Sequence, residues 1–368
     1  MKKSLLIVLG LVLIILTACS VQPAPAANNN AKPTPSGAYT VTDALGREVK
    51  FASVPERIVV AGKAVFMLSD AIYLFPESGK RIIAIADRSQ SAADFLPVID
   101  SKFAEKIALA SEAGAEQIAP LKPDLVILKS FTREKLGKPI EELGIPVIYL
   151  DLETPEQYER DLKTLGAVLQ NPARADALIN EYQSLAKATA EISKKITDDK
   201  KPKVLMLYFN EKDGAISLNI PPASWIQTTL VKLAGGNPVW VEANTGSGWT
   251  KVNFEQIAAW DADQIYVITY SADLNKAMGV IKADPQWQAL RAMKNGKVYG
   301  FPTDYYSYDQ PDTRWYMGLS WLAAKINPEL YPNFKMEDTI IKFYKLMYNL
   351  DETVVKEKIL PSMKGDWK

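Results

Sequence analysis

Two acidic residues occupy matching places in a repeated segment, and they are the first candidates for chemistry. Glu116-Gln117-Ile118-Ala119-Pro120-Leu121-Lys122-Pro123-Asp124 leads into the apolar run Leu125 to Leu128. Glu255-Gln256-Ile257-Ala258-Ala259-Trp260-Asp261-Ala262-Asp263 leads into Gln264 to Ile268, with five of nine positions identical. Apolar periodicity constrains the isoleucines but not the shared Glu and Asp, so the repeat predicts two lobes of related architecture, each presenting a carboxylate. A single exposed carboxylate contributes almost nothing to stability. A second group is aromatic: Trp225, Trp249, Tyr270, Tyr305 and Tyr308 follow strand-like runs or sit among Asp, Ser and Pro. Rings at the carboxyl ends of α/β strands suit a large, partly apolar ligand, although any one of them can simply pin a loop to the body. Lys63, Phe66 and Arg133 follow strand-like runs in the first half of the chain. Arg133 or Arg314 can pair an anionic group.

Other chemistry is excluded by composition. The 368 residues contain no histidine, which removes Ser-His-Asp and Cys-His catalysis, His-based zinc sites and axial imidazole ligation. No P-loop, G-x-G-x-x-G or H-E-x-x-H pattern is present. Carboxylate-only catalysis, as in glycoside hydrolysis, stays open. The one cysteine, Cys19, allows neither an intramolecular disulfide nor a cysteine metal cluster.

Cys19 has a specific context. Lys2 and Lys3 precede an apolar run from Leu5 to Leu16, and Leu16-Thr17-Ala18-Cys19 has the form of a lipobox. A dozen or so apolar residues fall short of the roughly 20 needed to span a bilayer. Residues 1–18 therefore read as a signal peptide, with two acyl chains on Cys19 sufficient for stable anchoring. Residues 19–37, rich in Pro, Ala and Asn, read as a flexible tether. Loss of Lys2 and Lys3 leaves the 43 acidic residues facing two fewer basic ones, a near-neutral balance that argues against nucleic-acid binding.

The rest of the chain must position these groups. Tyr39 to Phe51 reads as a hairpin. Ile58 to Val60, Ile82 to Ile85, Leu125 to Leu128 and Val147 to Tyr149 are short apolar runs spaced by helical patterns, which predicts a parallel, helix-covered sheet. Thr154-Pro155-Glu156-Gln157 and Asn171-Pro172 are helix starts. The stripe to about Lys195 predicts a helix of some 25 residues, roughly 38 Å long, suited to join two lobes. Strands follow at Val204 to Tyr208, Gln264 to Ile268 and Val298 to Phe301, and helices at Ser224 to Gly235, Asp312 to Lys325 and Met336 to Tyr348. The division predicted is a first lobe over 38–153, a connecting helix over 154–200, a second lobe over 201–335 and a helical extension over 336–368.

Thr42-Asp43-Ala44-Leu45-Gly46-Arg47-Glu48-Val49, followed by Val54-Pro55-Glu56-Arg57-Ile58-Val59, resembles the opening of the binding proteins of ABC importers for ferric siderophores, cobalamin and haem. The two Glu-containing repeats, and Pro311, Gly318, Leu322, Ala323 and Pro328 near the end, carry the resemblance through about Tyr331. It implies an α/β fold of class III periplasmic binding protein type: two lobes with mainly parallel sheets, one long joining helix, and a ligand in the cleft. It also implies that Glu116 and Glu255 meet arginines of a permease dimer served by an ATPase. The protein would be an extracytoplasmic, lipid-anchored monomer that carries a metal chelate as cargo and needs no cofactor. Two other readings remain at this point: a cell-envelope hydrolase using carboxylates, and an adhesion or scaffold lipoprotein.

Overall fold

Tyr39–Thr42 (β1) and Glu48–Phe51 (β2) pair antiparallel. The Asp43 carboxylate closes their turn by accepting from Leu45 N and Arg47 N, each at 3.0 Å. The computed structural model describes residues 37–88, 94–270 and 272–368; the signal peptide predicted over 1–18, the Cys19 lipid site and all but the last residue of the tether predicted over 19–37 lie outside the described residues.

Five strands make the first sheet: Ile58–Val60 (β3), Ile82–Ala86 (β4), Ile107–Leu109 (β5), Leu125–Lys129 (β6) and Val147–Leu150 (β7). Their order is β5-β4-β3-β6-β7, all parallel. β3, β6 and β7 are buried on both faces, as near-continuous Val, Ile and Leu in a helix-covered parallel sheet requires. The strand order reverses between β3 and β6, and a crevice at their carboxyl ends is the expected ligand position in such a sheet. Helix Val65–Ile72 (α1) leaves β3 there and is buried along its whole length. Ala115–Ile118 (α2) precedes β6.

Pro155–Val168 (α3) and Pro172–Ser193 (α4) follow. Each has proline in its first turn behind a side-chain cap, Thr154 Oγ1 on Gln157 N and Asn171 Oδ1 on Arg174 N. α4 runs 22 residues, about 33 Å, and is the single long helix joining the two sheets. Arg174 ties it at both ends of its fork: Nε donates to Leu74 O at 2.8 Å, and Nη2 to Met347 O at 2.6 Å.

The second sheet has Lys203–Lys212 (β8), Ala215–Ile220 (β9), Asn237–Pro238 (β10), Thr250–Val252 (β11), Gln264–Ile268 (β12) and Val298–Gly300 (β13). Its main order is β11-β9-β8-β12-β13, with β10 beside β8. β8, β12 and β13 are parallel, while β9 runs antiparallel to both of its neighbours, β8 and β11. The strand expected at Val204 to Tyr208 thus extends into a hairpin. Its two-residue loop, Asp213-Gly214, has φ of 52° and 78°, the geometry a tight hairpin turn needs. Helices Ile226–Leu233 (α5), Phe254–Trp260 (α6) and Leu274–Ala283 (α7) cover this sheet with Trp315–Ile326 (α8). Gly318 in α8 is required: a Cβ there would lie 2.1 Å from the Tyr308 carbonyl oxygen.

Met336–Tyr348 (α9) packs on α8 and the chain then runs back along β13. Thr303 and Lys364 exchange backbone hydrogen bonds, and Gly300 N donates to the Asp366 carboxylate at 2.6 Å. The architecture is α/β with two lobes of mainly parallel sheet and one long joining helix. Among the described residues no helix is long and apolar enough to cross a membrane.

Candidate functional site

The carboxyl ends of the two sheets face each other through aromatic contacts. Phe66, in α1 just after β3, stacks on Tyr306, which follows β13, with ring centroids 4.7 Å apart. Phe95, beyond β4, packs on Tyr305 at 5.8 Å. These contacts pack the two lobes together, with Phe66, Phe95 and Tyr306 buried and Tyr305 half-buried.

Beneath them lies a buried ionic cluster. Arg314 donates from Nη1 to Asp70 at 2.6 Å and to Asp312 at 2.9 Å, and from Nε to Asp304 at 2.8 Å, with all four side chains wholly buried. Its guanidinium also lies 4.5 Å from the Phe95 ring centroid, a desolvated cation–π contact. One cation serves three carboxylates, so burial without full compensation raises carboxyl pKa values. Asp312 is pushed up to about 7 and Asp70 is raised above its ordinary value, desolvation being the largest cause for both. Tyr308 and Tyr344 donate to Asp304 from the other side. The carboxylates converge on an arginine away from solvent and do not flank an open space, so they do not form the acid–base pair a glycosidase-type site needs.

Three of the aromatic candidates meet on the second lobe. Trp249 lies 5.4 Å from Trp225 and 6.0 Å from Tyr270, and Tyr208 completes the group at 5.0 Å from Trp249 and 4.7 Å from Tyr270. All four are half-buried, at the carboxyl ends of β8 and β12 and on the loops beside them. Tyr208 was missed in the sequence because it sits inside a strand run; the outward half of β8 begins there. Tyr270 is fixed by its hydroxyl, which donates to Asp309 at 2.7 Å, and Gln227 donates to the same carboxylate at 3.2 Å. Burial raises the Asp309 carboxyl.

Tyr270 and Tyr305 also line a cavity of about 600 Å³ walled by residues 269–270, 272–275, 303–307 and 361–364 together with Gln310.

The other candidates divide. Lys63 is exposed and pairs with Glu112. Arg133 is held to Glu141 at 3.3 Å, a carboxylate that also takes Arg47 and the Tyr149 hydroxyl at 2.6 Å; it is bound into the first lobe's own surface network. The expectation that Tyr308 and Arg314 contact ligand is corrected: both are wholly buried, because Asp304 takes both as partners inside the body. Phe66 is likewise buried, against Tyr306. Trp240 and Trp315, which also fall near loops in the sequence, are core residues.

Glu116 and Glu255 are both exposed, in the first turns of α2 and α6. The repeat carrying them recurs in three dimensions. Gln117 and Gln256 accept from the backbone N of Gly114 and Asn253 at 3.1 and 3.0 Å. Lys122 and Asp261 take left-handed φ of 50° and 44° at the same position. Asp124 accepts from Arg57 N and Asp263 from Lys203 N, at 2.8 and 2.7 Å, each pinning the start of its lobe's central strand.

A family profile described as periplasmic binding protein matches residues 104–305, more than half of the chain. The chain belongs to the periplasmic binding protein family. Among its relatives in this family is the molybdate-binding protein MolA of Haemophilus influenzae, 21% identical over 84% of this chain and 90% of MolA. A vitamin B12-binding protein of Pectobacterium atrosepticum is 22% identical over 56% of this chain and 68% of that protein. The crystal structure of a periplasmic solute binding protein from Veillonella parvula superposes with a TM-score of 0.72 at 22% identity, covering 89% of this chain and 98% of that one.

Proposed function

We propose that this periplasmic binding protein captures a metal chelate in the interlobe cleft and delivers it to the permease of an ABC importer, held to the membrane by lipid on Cys19. The observation that carries the reading is the half-buried quartet Tyr208, Trp225, Trp249 and Tyr270 at the strand ends of the second lobe. Rigid amphipathic rings at that place provide apolar contact area at little entropic cost. Vitamin B12, in the name of one relative, is a metal chelate and supports the class, while the molybdate in the name of another is a metal oxyanion. Glu116 and Glu255, exposed at matching places in the two lobes, are the docking carboxylates: exposed charges of this kind steer and register a transient complex. The reading favours binding over turnover.

The test is a titration of intrinsic tryptophan fluorescence with cyanocobalamin, molybdate, ferric citrate, a catecholate and a hydroxamate ferric siderophore, and haem. Saturable quenching by one of them at submicromolar concentration, weakened in Trp249→Ala, is expected. No response to any probe overturns the chelate reading.

A further inference from the structure

The C-terminal residues 361–364 line the 600 Å³ cavity that Tyr270 and Tyr305 also line. This segment is held in place. Lys364 and Thr303 exchange backbone hydrogen bonds, the Tyr305 hydroxyl donates to Lys358 O at 3.0 Å, and the Tyr308 hydroxyl contacts the Met363 sulfur at 3.1 Å. Trp321 Nε1 donates to Asp366 O at 2.9 Å just beyond it. The cavity is polar where the quartet is apolar: Thr269, Thr303, Ser307 and Ser362 bring hydroxyls, and Lys364 brings an ammonium only loosely paired with Asp273 at 3.7 Å. Tyr270 belongs to both surfaces, so apolar rings and polar cavity are contiguous.

We infer that the C-terminal segment is part of the ligand site and selects the ligand's outer face, so that Lys364 takes the carboxylate or carbonyl oxygens of a chelate whose apolar face lies on the aromatic quartet. This rests on the transport reading and deepens it. A ligand carboxylate would compete with Asp273 for the Lys364 ammonium and gain a charge-assisted hydrogen bond.

The experiment uses the full chain in detergent and the same probe panel, with affinities from tryptophan fluorescence. Ser362→Trp fills the cavity from the tail side, and Lys200→Trp, on an exposed turn remote from it in sequence, controls for the added fluorophore. The expected result is affinity at least about 10-fold weaker in Ser362→Trp, with Lys200→Trp within about twofold of the parent. Lys364→Ala is the milder variant should the first fail to fold: it is expected to weaken ferric citrate or haem, which carry carboxylates, by about 3- to 10-fold. Parent-like affinity in a folded Ser362→Trp, or in Lys364→Ala for a carboxylate probe that binds the parent, overturns the assignment of the tail and leaves the transport reading standing. Absence of binding by any probe to the parent protein overturns both.

Discussion

Arg314 meets Asp70 at 2.6 Å with neither side chain exposed, and this pair joins the second lobe to the first helix of the other. Removing the arginine would strand Asp70, Asp304 and Asp312 in the interior. Breaking a buried pair from one side costs about 3–5 kcal/mol. Arg314→Met is therefore expected to lower the unfolding free energy by that amount in urea titrations at pH 7. A loss under about 1 kcal/mol would mean that the cluster is already neutralised by protons.

The same cluster sets a pH dependence. Burial pushes Asp312 up to about 7 from an ordinary value of 3.8, and raises Asp70 too; the two titrate as a coupled set. Between those values the folded state holds protons that the unfolded chain has released. Stability from this source therefore falls as pH rises from about 4 through 7 and levels off above. Asp312→Asn removes the share of that slope that Asp312 contributes. Thermal melts at pH 5 and pH 8 should show the parent losing a few degrees more than the variant; parallel losses would contradict the cluster's role.

Much of this was legible in the sequence. The parallel sheet of the first lobe follows from apolar runs too short for helices, and α4 from Asn171-Pro172 and the stripe behind it. The equivalence of Glu116 and Glu255 was readable because apolar periodicity does not account for a shared Glu and Asp. The β8–β9 hairpin carried its signal in Asp213-Gly214, but the strand face beyond it is half-solvated and breaks the apolar run. Arg314 could not be placed: its three carboxylates come from positions as far apart as Asp70 and Asp312, a convergence only the packed lobes create. Tyr308 was misassigned for the same reason, since a polar neighbourhood in sequence became a buried hydrogen bond to Asp304.

Trp249 sits at the centre of the quartet, touching the other three rings. Because it is half-buried, its loss should act on binding more than on folding. Trp249→Ala is expected to weaken the best probe at least about 10-fold, as truncation of a central aromatic anchor does, while the melting temperature falls by no more than a few degrees. A large drop in stability with unchanged affinity would mark the ring as a loop pin.

Two glycines in helices of the second lobe should respond oppositely. Gly318→Ala would place a methyl 2.1 Å from the Tyr308 carbonyl, forcing α8 away from its loop at a cost of about 1–3 kcal/mol. Gly279 in α7 has open space where a Cβ would go, so Gly279→Ala should stabilise by about 0.4–1 kcal/mol through the unfolded chain's lost entropy. Chemical denaturation of the two variants checks both signs, and a neutral Gly318→Ala would contradict the close packing of α8.

Docking is tested by separating capture from delivery. Glu116 and Glu255 stand in helix first turns outside the aromatic quartet and the polar cavity, so Glu116→Lys and Glu255→Lys should leave probe affinity within about twofold. On the proposed docking, each reversal would replace attraction to a basic permease group by repulsion, which slows productive encounter more than it changes anything within the binding protein. Uptake in cells, or ligand-stimulated ATPase activity with the reconstituted importer, should fall in each single variant and further in the double variant, with weaker defects at high salt as screening shortens the interaction. Because the two lobes contact different permease subunits in this scheme, the single defects should be nearly independent. Full transport by the double variant would remove these carboxylates from the docking surface while leaving the cleft and its ligand unaffected.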